Sequence, residues 1–209
     1  HLSIRRQRQM CIRDSREIIK KLKRQITEPP SLDILQLLLS ELQYTMQDNP
    51  DLGADERKYV FSYSGFIKRW SLQRLQQTLD PQWDKLYWDT MLFEARNRVV
   101  DSYLIYLEKN RDPEDRFYEP RRSHFIKLGL IDALQGLIDD KYDIVSLSMP
   151  PGTGKTTLGE MFLSGFMGWF PDLCNLFSSH SGHVTRMVYE VLCNICLLYT
   201  SPSPRDSTS

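Results

Sequence analysis

The residues best suited to chemistry lie together in Met149-Pro150-Pro151-Gly152-Thr153-Gly154-Lys155-Thr156-Thr157. Gly152 and Gly154 let the backbone turn back and aim its N–H groups at an anion. Lys155 can reach the β- and γ-phosphates of a nucleotide, and the Thr156 hydroxyl can ligate Mg²⁺. A helical pattern begins at Lys155, so the positive end of the helix dipole faces the same point. The stretch departs from G-x-x-x-x-G-K-[ST] at its first position, where Met149 stands. Pro150 and Pro151 set the backbone there by fixing φ. A Gly/Pro-rich turn with no ligand is the competing reading; the order of apolar run, glycine loop, Lys-Thr and helix favours phosphate.

Four elements are expected to position this loop. Ile144, Val145 and Leu147 predict a short buried strand feeding it. Lys155 to Phe170 predicts a helix whose Leu158, Met161, Phe162, Phe166 and Trp169 face a sheet, with Gly165 and Gly168 allowing close approach. Leu173 to Phe177 predicts a second strand, and Val184 to Ile195 another helix. Strand–helix–strand–helix order predicts an α/β fold, a P-loop NTPase parallel sheet with its ligand at the carboxyl ends of the strands. Upstream, a helix is expected from His124 to Asp139. The polar segment Asn110 to Asp115 is taken as the domain boundary. Before it the pattern is helical: Arg16–Ile26, Ser31–Met46, Asp55–Leu79 as one or two helices with Gly65 a candidate break, and Trp83–Lys109.

The charge count is balanced, Lys+Arg 27 against Asp+Glu 27, so composition alone signals neither nucleic acid nor membrane. No apolar run is long enough to span a bilayer and no apolar leader opens the chain, so a reducing intracellular setting is the default expectation for Cys11, Cys174, Cys193 and Cys196. The two ends stand apart. Arg5–Ser15 (RRQRQMCIRDS) and Cys196–Asp206 (CLLYTSPSPRD) resemble translated sequencing-library adapters. Residues 1–15 and 196–209 are therefore read as non-native. That leaves 16–115 as a mostly α-helical region and 116–195 as the start of a P-loop ATPase domain, truncated after Ile195.

The loop in its flanks resembles the large subunit of a tailed-phage terminase, the DNA-packaging motor. The resemblance rests on the Met-Pro-Pro entrance to the Gly-Lys-Thr loop, on Pro120 and His124 at the preceding helix start, and on Leu176–His180 followed by Val184–Val188. It covers about Tyr118 to Ile195. It implies ATP-driven packaging of double-stranded DNA in the cytoplasm of a host bacterium, with ATP and Mg²⁺ as cofactors. The implied partners are a terminase small subunit, the portal of the procapsid and further copies in a homo-oligomeric ring. Lys155 would hold the phosphates and Thr156 the metal. Pro151, Gly152, Thr153, Gly154 and Thr157 would line the cradle. Tyr118, Arg121 and His124 stand where the family contacts base and sugar; ordinary helix-entry packing is the alternative for them.

Many relatives carry an arginine inside the loop, where this chain has Gly152, so any arginine finger must come from elsewhere. No apolar run ending in Asp-Glu follows the loop before Ile195, and no nuclease half follows it. The chain as written is therefore expected to bind nucleotide weakly and hydrolyse almost none. Leu137-Ile138-Asp139-Asp140 mimics a strand ending in carboxylates but sits within a helical period, so it reads as a helix end. His180 and His183 lack a third ligand and read as loop histidines. Two alternatives stay open: another P-loop ATPase of the AAA+ or helicase kind, or a non-enzymatic fragment whose helical region docks a partner.

Overall fold

A computed structural model describes residue 17 and residues 19–21, 30–49, 52–179 and 181–200, apart from the side chains of Ala54 and of 196–200. The residues form two compact units, one ending at Asn97 and the other starting at Arg98. The adapter-like segment 1–15, most of the expected Arg16–Ile26 helix, and His180 lie outside the described residues.

The first unit contains α1 (Leu32–Asp48), α2 (Ala54–Thr78) and α3 (Pro81–Arg96). Ser31 caps α1 by accepting from the Ile34 N–H, 3.4 Å away. Leu35, Leu38, Leu39 and Leu42 then recur on one face and are all buried. Asp55 and Glu56 open α2 with negative charge where the helix dipole favours it. Leu79, in the left-handed region at φ 53°, ends that helix with its N–H on the Leu75 carbonyl. Asp80 caps α3 through the Gln82 N–H at 2.9 Å, and Pro81 occupies the first turn. The four leucines meet Val60, Ile67, Trp83, Leu86 and Phe93, with Ile19 buried among them. A polar link lies within this core: Glu94, 3% exposed, accepts from Ser64 Oγ and Lys68 Nζ.

The second unit contains α4 (Val100–Leu107), a 3₁₀ turn at Pro113–Asp115, α5 (Tyr118–Lys127), α6 (Leu130–Ile138), α7 (Lys155–Trp169) and α8 (Gly182–Thr200). Its core joins Val100, Leu104, Tyr118, Phe125, Ile131, Leu134, Leu158 and Met161. The Asn110–Asp115 segment, read from sequence as the boundary, lies inside this unit.

Three expectations need correction. The helix expected over Trp83–Lys109 is two helices, because Asn97 and Arg98 turn the chain. The Asn97 amide donates to the Phe93 carbonyl at 2.7 Å, and Arg98 sits at φ 68° with its guanidinium 4.4 Å from the Phe170 ring centroid. The helix expected over His124–Asp139 likewise breaks at Gly129, φ 70°.

The third correction concerns fold class. The expected P-loop parallel sheet is absent: there is no β-strand among the described residues, and the fold is all-α. Residues 144–150 carry no helix and no strand, yet their exposure alternates as it would along a strand. Val145, Leu147 and Met149 are half-buried, while Ile144, Ser146 and Ser148 are exposed. Leu147 and Met149 pack against the helical core of the unit. An extended segment becomes a strand only when a neighbour takes its backbone hydrogen bonds. The other candidate, Leu173–Phe177, does not provide them: it points outward, with Leu176 94% exposed. The face of α7 expected to meet a sheet meets α4 and α8 instead. Gly165 approaches α4 closely, since a Cβ there would come 2.7 Å from the Tyr103 ring, and Tyr103 Oη lies 2.9 Å from Ser164 Oγ. A Cβ at Gly168 would meet nothing within 4 Å among the described residues.

Candidate functional site

The loop 150–154 joins the irregular segment before it to α7, and its conformation follows from its glycines. Gly152 lies at φ 77° and Gly154 at φ 85°, both in the region that an L side chain disfavours. Thr153 Oγ1 donates to the Pro150 carbonyl at 2.8 Å, closing the turn. Gly154 is the N-cap of α7 and offers no side chain, so no residue of its own covers the first amides of the helix. The side chain of Lys155 arches back over the loop. Its ammonium donates to the Met149 carbonyl and, at 3.2 Å, to the Pro150 carbonyl. Pro151, Gly152 and Thr156 are exposed; Thr153, Gly154 and Thr157 are half-buried. The arrangement combines a positive charge, a helix N-terminus and two left-handed glycines at one exposed place. These features suit a polyphosphate oxyanion.

The segment before α5 reaches the same loop. The Phe117 ring lies so close to Gly154 that a Cβ there would collide with it. The Arg121 guanidinium carbon lies 4.7 Å from the centroid of that ring, and its Nη1 donates to the Phe117 carbonyl at 3.0 Å. Behind the ring sits Glu108, 1% exposed, just past the end of α4. Its carboxylate accepts from the N–H of Phe117 (2.6 Å), Tyr118 (2.9 Å) and Glu119 (3.0 Å). A carboxylate at a helix N-terminus with several amide donors is a strong anchor. Sequence reasoning passed over both Phe117 and Glu108. The contact joins residues nine to eleven apart across a turn, and no helical or strand period marks it.

Tyr118, Arg121 and His124 do not share one environment. Tyr118 is fully buried and its hydroxyl donates to Asp101 Oδ1 at 2.7 Å. Burial, then the neighbouring Asp101 charge, pushes its phenol far above the ordinary tyrosine value. Arg122 closes the same cluster with two 2.7 Å bonds to the Asp101 carboxylate. Arg121 and His124 are exposed on α5. Only Arg121 is tied to the loop, through Phe117.

Asp139 follows the end of α6, as expected for a helix terminus, and takes a hydrogen bond from Gln135 Nε2 at 3.2 Å. Among the described residues no group of three His, Cys, Asp or Glu side chains could hold a metal. Cys193 and Cys196 have C-x-x-C spacing, but the Cys196 side chain is outside those described. One further carboxyl stands out on α7. Glu160 is 9% exposed, and burial raises its pKa from 4.5. A cavity of about 610 Å³ lies within the first unit, between Gln36, Gln43 and Met46 of α1 and Lys85, Asp89 and Arg96 of α3. No helix among the described residues is long and apolar enough to cross a membrane. No protein-family model, no curated protein and no solved structure matches the chain.

Proposed function

We propose that this chain binds the polyphosphate of ATP on the loop 149–157, as the nucleotide-binding part of a terminase-like DNA-packaging ATPase. The observation that carries the reading is the placement of Lys155. Its ammonium folds over a turn built on two left-handed glycines, at the N-terminus of a 15-residue helix. A phosphate oxygen entering this turn would take over the ammonium from the Met149 and Pro150 carbonyls. It would also receive the amides that begin α7. The gain is electrostatic, reduced by the two carbonyl bonds that the ammonium gives up.

Thr156, exposed in the first turn of α7, would hold Mg²⁺. Bound there, the cation would neutralise charge between the β- and γ-phosphates. Pro151, Gly152, Thr153, Gly154 and Thr157 form the remaining wall. Turnover would need a further carboxylate to hold the metal and orient water. Double-stranded DNA, a small subunit and the procapsid portal are the partners this reading brings with it, and the host bacterial cytoplasm is its setting.

Equilibrium dialysis of the full chain against radiolabelled ATP with Mg²⁺ tests the proposal. Saturable binding, weakened about tenfold or more in Lys155→Ala, supports it; tenfold corresponds to about 1.4 kcal/mol. Identical uptake by wild type and Lys155→Ala, with an unchanged fold, rejects it.

A further inference from the structure

We propose that Glu108 is a positioning residue for the phosphate loop, acting through Phe117 on Gly154. The inference rests on the phosphate-binding reading above and adds to it the element that holds the loop in shape.

Gly154 is the hinge of the loop. It lies at φ 85°, caps α7, and comes immediately before Lys155. Its own sequence leaves it free to flip, because glycine populates both signs of φ about equally. What stands against its open side is the Phe117 ring, in the place a Cβ would occupy. Phe117 precedes α5, with its ring half-buried against the core beside Phe125. Glu108 fixes its backbone: the buried carboxylate gathers the three successive amides of Phe117, Tyr118 and Glu119. Arg111 Nη1 lies 3.9 Å from the same carboxylate, and Arg121 braces the far end of the segment through the Phe117 carbonyl. The chain of contacts is therefore Glu108 carboxylate, Phe117 amide, Phe117 ring, Gly154 backbone. An acid too deeply buried to meet solvent, its carboxylate engaged by three amides, sets the geometry of the turn that receives phosphate.

Two readouts on the full chain separate this role from simple helix capping. The first is the nuclear Overhauser contact between the Phe117 ring protons and Gly154 Hα, measured without ligand. The second is the affinity for inorganic tripolyphosphate and for Mg-ATP. Glu108→Gln is expected to weaken or abolish the contact and to lower affinity about tenfold, the low end of what loss of a supporting hydrogen bond costs a ligand site. Phe117→Leu keeps every backbone amide bond to Glu108, so it tests the ring alone should Glu108→Gln fail to fold. It is expected to lower affinity similarly, and the double variant should be no worse than either single one. A Glu108→Gln protein that melts earlier yet keeps both the contact and the affinity overturns the proposal, as does a Phe117→Leu protein with wild-type affinity. A wild-type chain that takes up neither probe overturns the phosphate reading instead. The Overhauser contact in Glu108→Gln then decides on its own whether Glu108 holds the loop.

Discussion

Replacing Gly154 by alanine should damage the protein in two separable ways, and Gly152 supplies the control. Both glycines have positive φ, at 77° and 85°. An L residue forced there costs about 1–2 kcal/mol. Gly152→Ala meets nothing within 4 Å, so it should lose that amount and no more. At Gly154 the new methyl also runs into the Phe117 ring. Displacing a packed ring adds about 1–3 kcal/mol. Gly154→Ala should therefore be the more destabilised of the two by about 1–3 kcal/mol. At about 2–4 °C per kcal/mol for a chain of this size, the gap is visible in thermal unfolding followed by circular dichroism. Adding Phe117→Ala to Gly154→Ala makes room for the methyl and should recover part of the loss. Equal melting of the two alanine variants, or no relief from Phe117→Ala, would refute the packing of Phe117 on the loop.

The remaining predictions concern the neighbouring groups. Glu160 has a folded pKa raised by burial above 4.5, so the fold favours its protonated form. Its contribution is fully present below the unfolded value and is lost as pH rises through the folded one. Glu160→Gln should therefore melt higher than wild type at pH 7, and the difference should shrink towards pH 4; a constant difference would contradict this. Asp101→Ala removes the acceptor shared by Tyr118 and Arg122 and should cost about 2–3 kcal/mol in urea unfolding, whereas Tyr118→Phe should cost about 1 kcal/mol. Because the Tyr118 hydroxyl is spoken for by Asp101, Tyr118→Phe should leave tripolyphosphate affinity unchanged. Reduced affinity in that variant would place the hydroxyl at the ligand.

What could be read in the sequence was local. The turn at Gly152 and Gly154 and the start of α7 at Lys155 depend on a few adjacent residues, and the stripe Leu35, Leu38, Leu39, Leu42 carries its own period. Whether a sheet forms could not be read this way. Leu147 and Met149 look the same whether they face a partner strand or, as here, helices. Only contact with another segment decides between these, and Leu173–Phe177 is turned to solvent. Helix breaks were hidden for a related reason. Arg98 takes φ 68° with its guanidinium against Phe170, a contact 72 residues away in sequence that no local propensity announces. Glu108 was invisible too, since a lone glutamate in a polar stretch looks like a solvated side chain until the amides of Phe117 to Glu119 fold onto it.

The most direct measurement is a titration of isotope-labelled protein with Mg-ATP, following backbone amides by nuclear magnetic resonance. Phosphate seated on the loop should move the amides of Gly152 through Thr157 in a saturable way, leave α1 to α3 still, and do neither in Lys155→Ala. Unmoved loop amides at saturating Mg-ATP, or the same shifts without the lysine, would contradict the proposed site.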